Sequence, residues 1–220
     1  MLAGSLRFFY NERELTGTGF DSAWGGEQEQ RNFRAAMWVK DMKTKMGPGL
    51  RKLTIYREMA LKRGADHAVV VDTSKVYTAP WVRLKCRFGC RRYNTSLCCP
   101  PRSPTPEEMR AVLDSYTMAL LLHRRGTQGS VPSLKDMAVD IEKAIFLDGY
   151  YKAWAMGHGP CDICKECNVS GTCLNPEAAR PSMEACGIDV FKTAQEQGMP
   201  IKVLTSRTEE REFYALILVE

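Results

Sequence analysis

The stretch "LKDMAVDIEKAIFLDGYYKAWAMGHGPCDICKEC", residues 134–167, runs a helix, a strand and a thiol-rich loop together without a break. Met137, Ile141, Ala144 and Ile145 recur every three to four residues, the spacing of one helix face, so "LKDMAVDIEKAIFLDGYY" reads as an amphipathic helix. "KAWAMG" follows as a strand and leads into Cys161, Cys164 and Cys167.

Working back toward the N-terminus, "RGTQGSVPS" reads as a loop and "TMALLLH" as a strand. "PTPEEMRAVLDSY" has the marks of a helix start: Thr105 as N-cap, Pro106 at the first helical position and Glu108 to complete a capping box. "KVYTAPWVRLKC" reads as an extended segment delivering Cys86, and "HAVVVD" as a buried strand. "LRKLTIYREMALKRG" fits a helix with Leu50, Leu53, Ile55, Met59 and Leu61 apolar and Gly64 at its end. Toward the C-terminus the pattern predicts a helix around 189–197, a short strand "IKVLTS" and a final strand "EFYALILVE". Strands and helices alternate without the regularity of a doubly wound fold. The expected class is α+β, a mixed sheet with flanking helices and two cysteine-rich cluster-binding loops, one of them a ferredoxin-like cysteine run.

Residues 1–49 differ from the rest. They contain the Gly-rich, polar "GTGFDSAWGGEQEQ" and a helix candidate "NFRAAMWVKDMKTKM" stopped by "GPG" at 47–49. They are expected to form a partly ordered N-terminal extension, and residues 50–220 a cysteine-rich metal-binding domain.

The chain has 220 residues, 44% hydrophobic and 26% charged, the balance of a globular protein. No apolar run is long enough to span a bilayer, and "MLAGSLRFFYNERE" makes a poor secretory signal, so a cytoplasmic location is expected. The formal charge of +5 is far from the dense positive field of a dedicated nucleic-acid binder. His67, His123 and His158 are scattered and offer no histidine cage.

Nine cysteines lie in two groups, Cys86, Cys90, Cys98 and Cys99, then Cys161, Cys164, Cys167, Cys173 and Cys186. Clustering and an odd count argue for metal or redox chemistry over a disulfide framework. Cys161-x2-Cys164-x2-Cys167 is the step by which bacterial ferredoxins place three thiolates on three irons of a cubane. The fourth position departs from that run, since Cys173 follows after five residues and Pro176 only three later. In the first group, Cys98 and Cys99 are adjacent and their side chains tend to point apart. The Cys-Pro pair favours Cys99 as ligand and leaves Cys98 spare. Structural zinc is the competing reading, because Cys161-x2-Cys164 with Cys167-x5-Cys173 also offers four sulfurs.

Arg83, Lys85, Arg87, Arg91, Arg92 and Arg102 flank the first group, with Phe88 and Tyr93 between them. Charge compensation of an anionic cluster is the favoured reading, ahead of a partner surface and of nucleic acid. His158 reads as a strand-end polar residue more than a proton donor or ligand, and Cys186 as a small buried hydrophobe more than a missing ligand. Arg180 either positions an anion or braces the loop.

"WVRLKCRFGCRRYNTSLCCPPRSPTPEE", "EKAIFLDGYYKAWAMGHGPCDICKECNVSGTC" and "ARPSMEACGIDVFKT" together resemble the predicted metal-binding proteins grouped as domain of unknown function 2284. The likeness runs from about residue 50 to the C-terminus. It implies metal or cluster binding and names no reaction; carried over, it implies Cys86, Cys90, Cys99, Cys161, Cys164, Cys167 and Cys173 as ligands, with Cys98 a non-ligand.

Three functions are therefore in play. The first is a protein with one or two [4Fe–4S] clusters that transfers electrons to a redox partner protein. The second is an enzyme whose three-cysteine cluster leaves one iron open as a Lewis acid, with Arg91, Arg92 or Arg180 holding a small anionic substrate. The third is a zinc-stapled interaction module. No base–nucleophile pair marks a catalytic residue.

Overall fold

The computed structural model describes residues 48–127, 133–206 and 208–220. The expected helix "NFRAAMWVKDMKTKM" and the rest of residues 1–47 lie outside that set, as does part of the 125–133 loop. In chain order the described elements are α1 (Pro48–Lys62), β1 (His67–Asp72), a 3-10 turn (Thr73–Lys75), α2 (Pro80–Gly89), α3 (Pro106–Asp114), β2 (Met118–Gly126), α4 (Leu134–Leu147), β3 (Trp154–Met156), a 3-10 turn (Glu184–Cys186), α5 (Val190–Glu196) and β4 (Arg211–Leu218).

The class is α+β, and the sheet has four strands in the order β1-β2-β4-β3. Every strand pair is antiparallel, so the expected mixed sheet is corrected. The physical reason lies in the connection through α4. A strand–helix–strand crossing leaves β2 and β3 running the same way, which suggests a parallel pair. The C-terminal strand β4 inserts between them and pairs antiparallel with both.

Period-two alternation gives the sheet two apolar faces. Ala68, Leu120, Leu122, Ala155, Ala215 and Ile217 pack on one side under α1, through Leu53, Tyr56 and Ala60, and under α4, through Met137, Ile141 and Ile145. Val71, Ala119, Leu121, Met156, Leu216 and Leu218 face the other side, against Met109 and Leu113 of α3 and the segment bearing Met183, Cys186 and Ile188. With both faces covered, β2 reads as a continuous apolar run, Leu120, Leu121 and Leu122 having no exposed surface. Each such leucine contributes about 1.5–3 kcal/mol of burial.

The capping box at Thr105 and Glu108 forms as expected. "KVYTAPWVRLKC" does not stay extended: from Pro80 it is the helix α2, with Pro80 at the first helical position, where its missing N–H costs nothing. "IKVLTS" is not a strand either. Val203 is 74% exposed, and Glu209 folds the segment into a turn by accepting from Thr205 N at 3.0 Å and Ser206 N at 2.9 Å.

Candidate metal centre

Two loop systems bring the cysteines together. α2 carries Cys86, and its C-cap is Cys90, four residues on. That spacing puts both thiols on one helix face, a signal legible in the sequence once the segment is recognised as helical. α2 is held in place by Arg83, whose Nη1 donates to the carbonyls of Pro104 and Ala185, both at 2.7 Å. Arg83 is thus a structural anchor and no part of a free basic rim. The chain enters α2 through Ala79 N, which donates to Gly187 O at 2.9 Å. Gly187 has φ +76, and a Cβ there would lie 2.9 Å from the Pro106 backbone, so only glycine fits this approach.

Cys86, Cys90 and Cys99 line one recess together with Trp81, Lys85, Tyr93 and Glu212. Burial raises the Cys86 thiol pKa, and the neighbouring Cys90 adds to the effect. Burial and then Cys90 do the same at Cys99, opposed by Arg92, by the Ser96 hydroxyl and by the Cys161 main-chain N–H.

The second group is more enclosed. Cys98, Cys161, Cys164, Cys167 and Cys173 line a small cavity with Ser96, Leu97, Asn168 and Asn175. N–H donors aim at its sulfurs. Leu97 N donates to Cys167 Sγ at 3.4 Å, Asn175 N to Cys173 Sγ at 3.4 Å, and Asn175 Nδ2 to Cys164 Sγ at 3.0 Å. Cys98, expected to stand aside, faces this group. Burial, with Cys161 and Cys173 adding to it, pushes its thiol up to about 12. Adjacent side chains do point apart, and the consequence is that Cys98 and Cys99 serve different groups. Spacing alone gave no sign of this, because the second group closes only in three dimensions.

The two groups are neighbours. Cys161 touches Cys98 with its thiol and Cys99 with its main-chain N–H, and Arg92 Nη2 donates to Cys161 O at 3.2 Å. The segment after the 161–173 loop is tied to α4 by Arg180, whose Nη1 donates to Pro176 O at 3.0 Å and which pairs with Glu142 through Nε–Oε2 at 2.8 Å and Nη2–Oε1 at 2.6 Å, both side chains 9% exposed. Glu142 also accepts from Ala155 N at 2.7 Å, and the guanidinium lies 4.5 Å over Trp154. Arg180 therefore braces the segment that follows the cysteine loop and is not available to hold an anion.

The remaining candidates settle simply. Cys186 is 1% exposed in the core, where burial pushes its thiol up to about 12. His158 stacks on Phe213 at 4.7 Å, and burial lowers its pKa. Among the described residues no three His, Cys, Asp or Glu side chains stand close enough to hold one metal ion. None of the described helices is long and apolar enough to cross a membrane.

The α+β scaffold thus gathers eight cysteines into two neighbouring groups, with N–H donors turned to sulfurs of the second. Residues 69–219 match the family described as Predicted metal-binding protein (DUF2284), and the chain belongs to that family. No curated protein and no solved structure matches the chain.

Proposed function

We propose that this protein holds two neighbouring [4Fe–4S] clusters and exchanges electrons with an acidic partner protein. One cluster would sit on Cys161, Cys164, Cys167 and Cys173, with Cys98 as a fifth thiol beside it; the other would sit on Cys86, Cys90 and Cys99. The observation that carries this reading is the set of N–H groups directed at Cys99, Cys164, Cys167 and Cys173. Such donors stabilise electron-rich sulfur and set the potential of iron–sulfur centres. When bound, the clusters supply one-electron chemistry.

The Cys161-x2-Cys164-x2-Cys167 step supports a cluster over zinc, because a cubane takes one thiolate per iron around its corners. Zinc would instead draw four thiolates around one ion.

α2 supplies the docking face. Trp81, Leu84 and Phe88 are 43%, 57% and 78% exposed on the helix that bears Cys86. Lys85 and Arg87 stand beside them, Lys85 Nζ 5.3 Å over the Trp81 ring and Arg87 Cζ 5.4 Å over Phe88. An apolar centre within a basic collar suits an acidic partner and speeds its encounter.

A second reading has one specific observation behind it. The Cys86, Cys90 and Cys99 recess adjoins a larger cleft of 940 Å³, the two sharing Trp81, Lys85, Glu184 and Glu212. Three thiolates facing a cleft would leave one iron of that cluster open to a small anion.

Anaerobic purification with iron, zinc and acid-labile sulfide analysis tests the proposal. Brown protein with matched iron and sulfide is expected. Colourless protein with stoichiometric zinc and no sulfide would overturn it.

A further inference from the structure

The sheet end nearest the cleft carries a hydrogen-bonded string that metal binding does not require. Glu212 Oε2 lies 2.7 Å from His123 Nε2, and His123 Nδ1 lies 2.9 Å from His67 Nδ1. His67 on β1 and His123 on β2 are register partners, and Glu212 is on β4, so the string crosses three strands on the face that packs against Met183, Cys186 and Ile188. Its ends differ. His67 is exposed, His123 is 1% exposed, and the Glu212 side chain, 8% exposed, lines both the cleft and the recess of Cys86, Cys90 and Cys99. β3 pairs with Leu216–Leu218, so among the described residues the 211–214 part of β4 has no strand on that side, and these residues line the cleft.

We propose that His67, His123 and Glu212 form a proton relay between bulk solvent and this cleft. With the Glu212 carboxylate accepting from His123 Nε2–H, His123 Nδ1 is bare and accepts from His67 Nδ1–H, leaving His67 Nε2 to take a proton from water. A proton added at His67 Nε2 sends the Nδ1 proton to His123 Nδ1, and the His123 Nε2 proton passes to Glu212. One proton enters at the exposed end and one reaches the cleft, both rings finish in the other tautomer, and the reverse sequence carries a proton out.

The charges around the buried imidazole come from every strand it touches. Asp66 precedes β1, Arg125 on β2 pairs with Glu210 at 3.0 Å and stands 3.7 Å from Glu212, and Tyr214 stacks on His123 at 4.9 Å. Burial lowers the His123 pKa, with His67 adding to this and the Glu212 hydrogen bond opposing it. A ring that favours the neutral state passes a proton on instead of storing it.

The test reads the relay without reference to what the cysteines hold. In the full chain with its imidazoles labelled, NMR follows solvent exchange of the His123 Nε2–H, a group sealed from water except through its neighbours. His67→Phe is expected to slow that exchange at least tenfold, with the backbone amide spectrum unchanged. His67→Gln keeps a polar surface residue that cannot switch tautomers and is expected to slow it equally, which covers any misfolding of the first variant. Exchange as fast in His67→Gln as in the unaltered chain would overturn the relay, and it would leave the iron and sulfide content untouched.

Discussion

The two cysteine groups differ in how the chain builds them. The first rests on regular structure: Cys86 and Cys90 are fixed four residues apart at the end of a helix, and that helix is tied down by one arginine reaching three carbonyls. The second has almost no regular structure. Its loop is shaped by Asn175 on two sulfurs and by Leu97 on a third, and the segment after it is tied to α4 by the buried Arg180–Glu142 pair. The first opens on a cleft, the second on a small enclosed cavity. A helix can present thiols to a shared space without help, whereas an irregular loop needs its own sulfur atoms, and what they hold, as its core. With the proposed clusters in place, the enclosed group is thus expected to depend on its cluster for shape, and the open group much less.

Deleting a thiol gives the largest separation. Cys164→Ser is expected to abolish the enclosed centre and unfold the 161–173 loop, seen as loss of about half the iron and sulfide and as rapid amide exchange across that loop. Cys99→Ser is expected to remove only the open centre and leave exchange in α2 unchanged. Equal loosening in the two variants would break the contrast.

The anchoring arginines come next. Arg180→Ala strands a buried Glu142 carboxylate and is expected to cost about 3–5 kcal/mol in denaturant unfolding. Arg83→Ala removes charge-assisted bonds to carbonyls and is expected to cost about 1.5–3 kcal/mol. If the two were reversed, the loop would not be the more dependent half.

The smallest effect concerns Cys186, a thiol that belongs to neither group. Its folded-state pKa is raised to about 12 by burial, so its contribution to stability is fully present below the ordinary thiol value and is lost as pH rises toward about 12. Unfolding midpoints taken from neutral to alkaline pH are expected to decline less steeply in Cys186→Ala, with iron and sulfide content unaltered.

Much of this was legible in the sequence where periodicity or capping chemistry speaks for itself. Met137, Ile141 and Ile145 placed α4, Thr105 and Glu108 placed the start of α3, and the unbroken apolar run placed β2. The errors came where local pattern is silent. α2 has no side-chain cap at Ala79 and draws its position from Arg83 and Gly187, contacts made with residues about a hundred positions away. The sheet could not be ordered because β4, last in the chain, enters between strands made earlier. For the site, the Cys161, Cys164 and Cys167 step was readable, while the facing of Cys98 toward Cys161 and Cys173 was not, since it depends on two loops meeting. The His67–His123–Glu212 string was equally hidden, its members separated by tens of residues and joined only by strand register.

The most direct test of the account is electron paramagnetic resonance of the anaerobically purified, fully reduced protein beside its Cys99→Ser variant. Two touching thiol groups that each hold a [4Fe–4S] cluster predict a spectrum broadened and split by spin coupling between the centres, collapsing in the variant to the simple signal of one isolated cluster. A simple, uncoupled signal already present in the unaltered protein, or no signal at all, would contradict it.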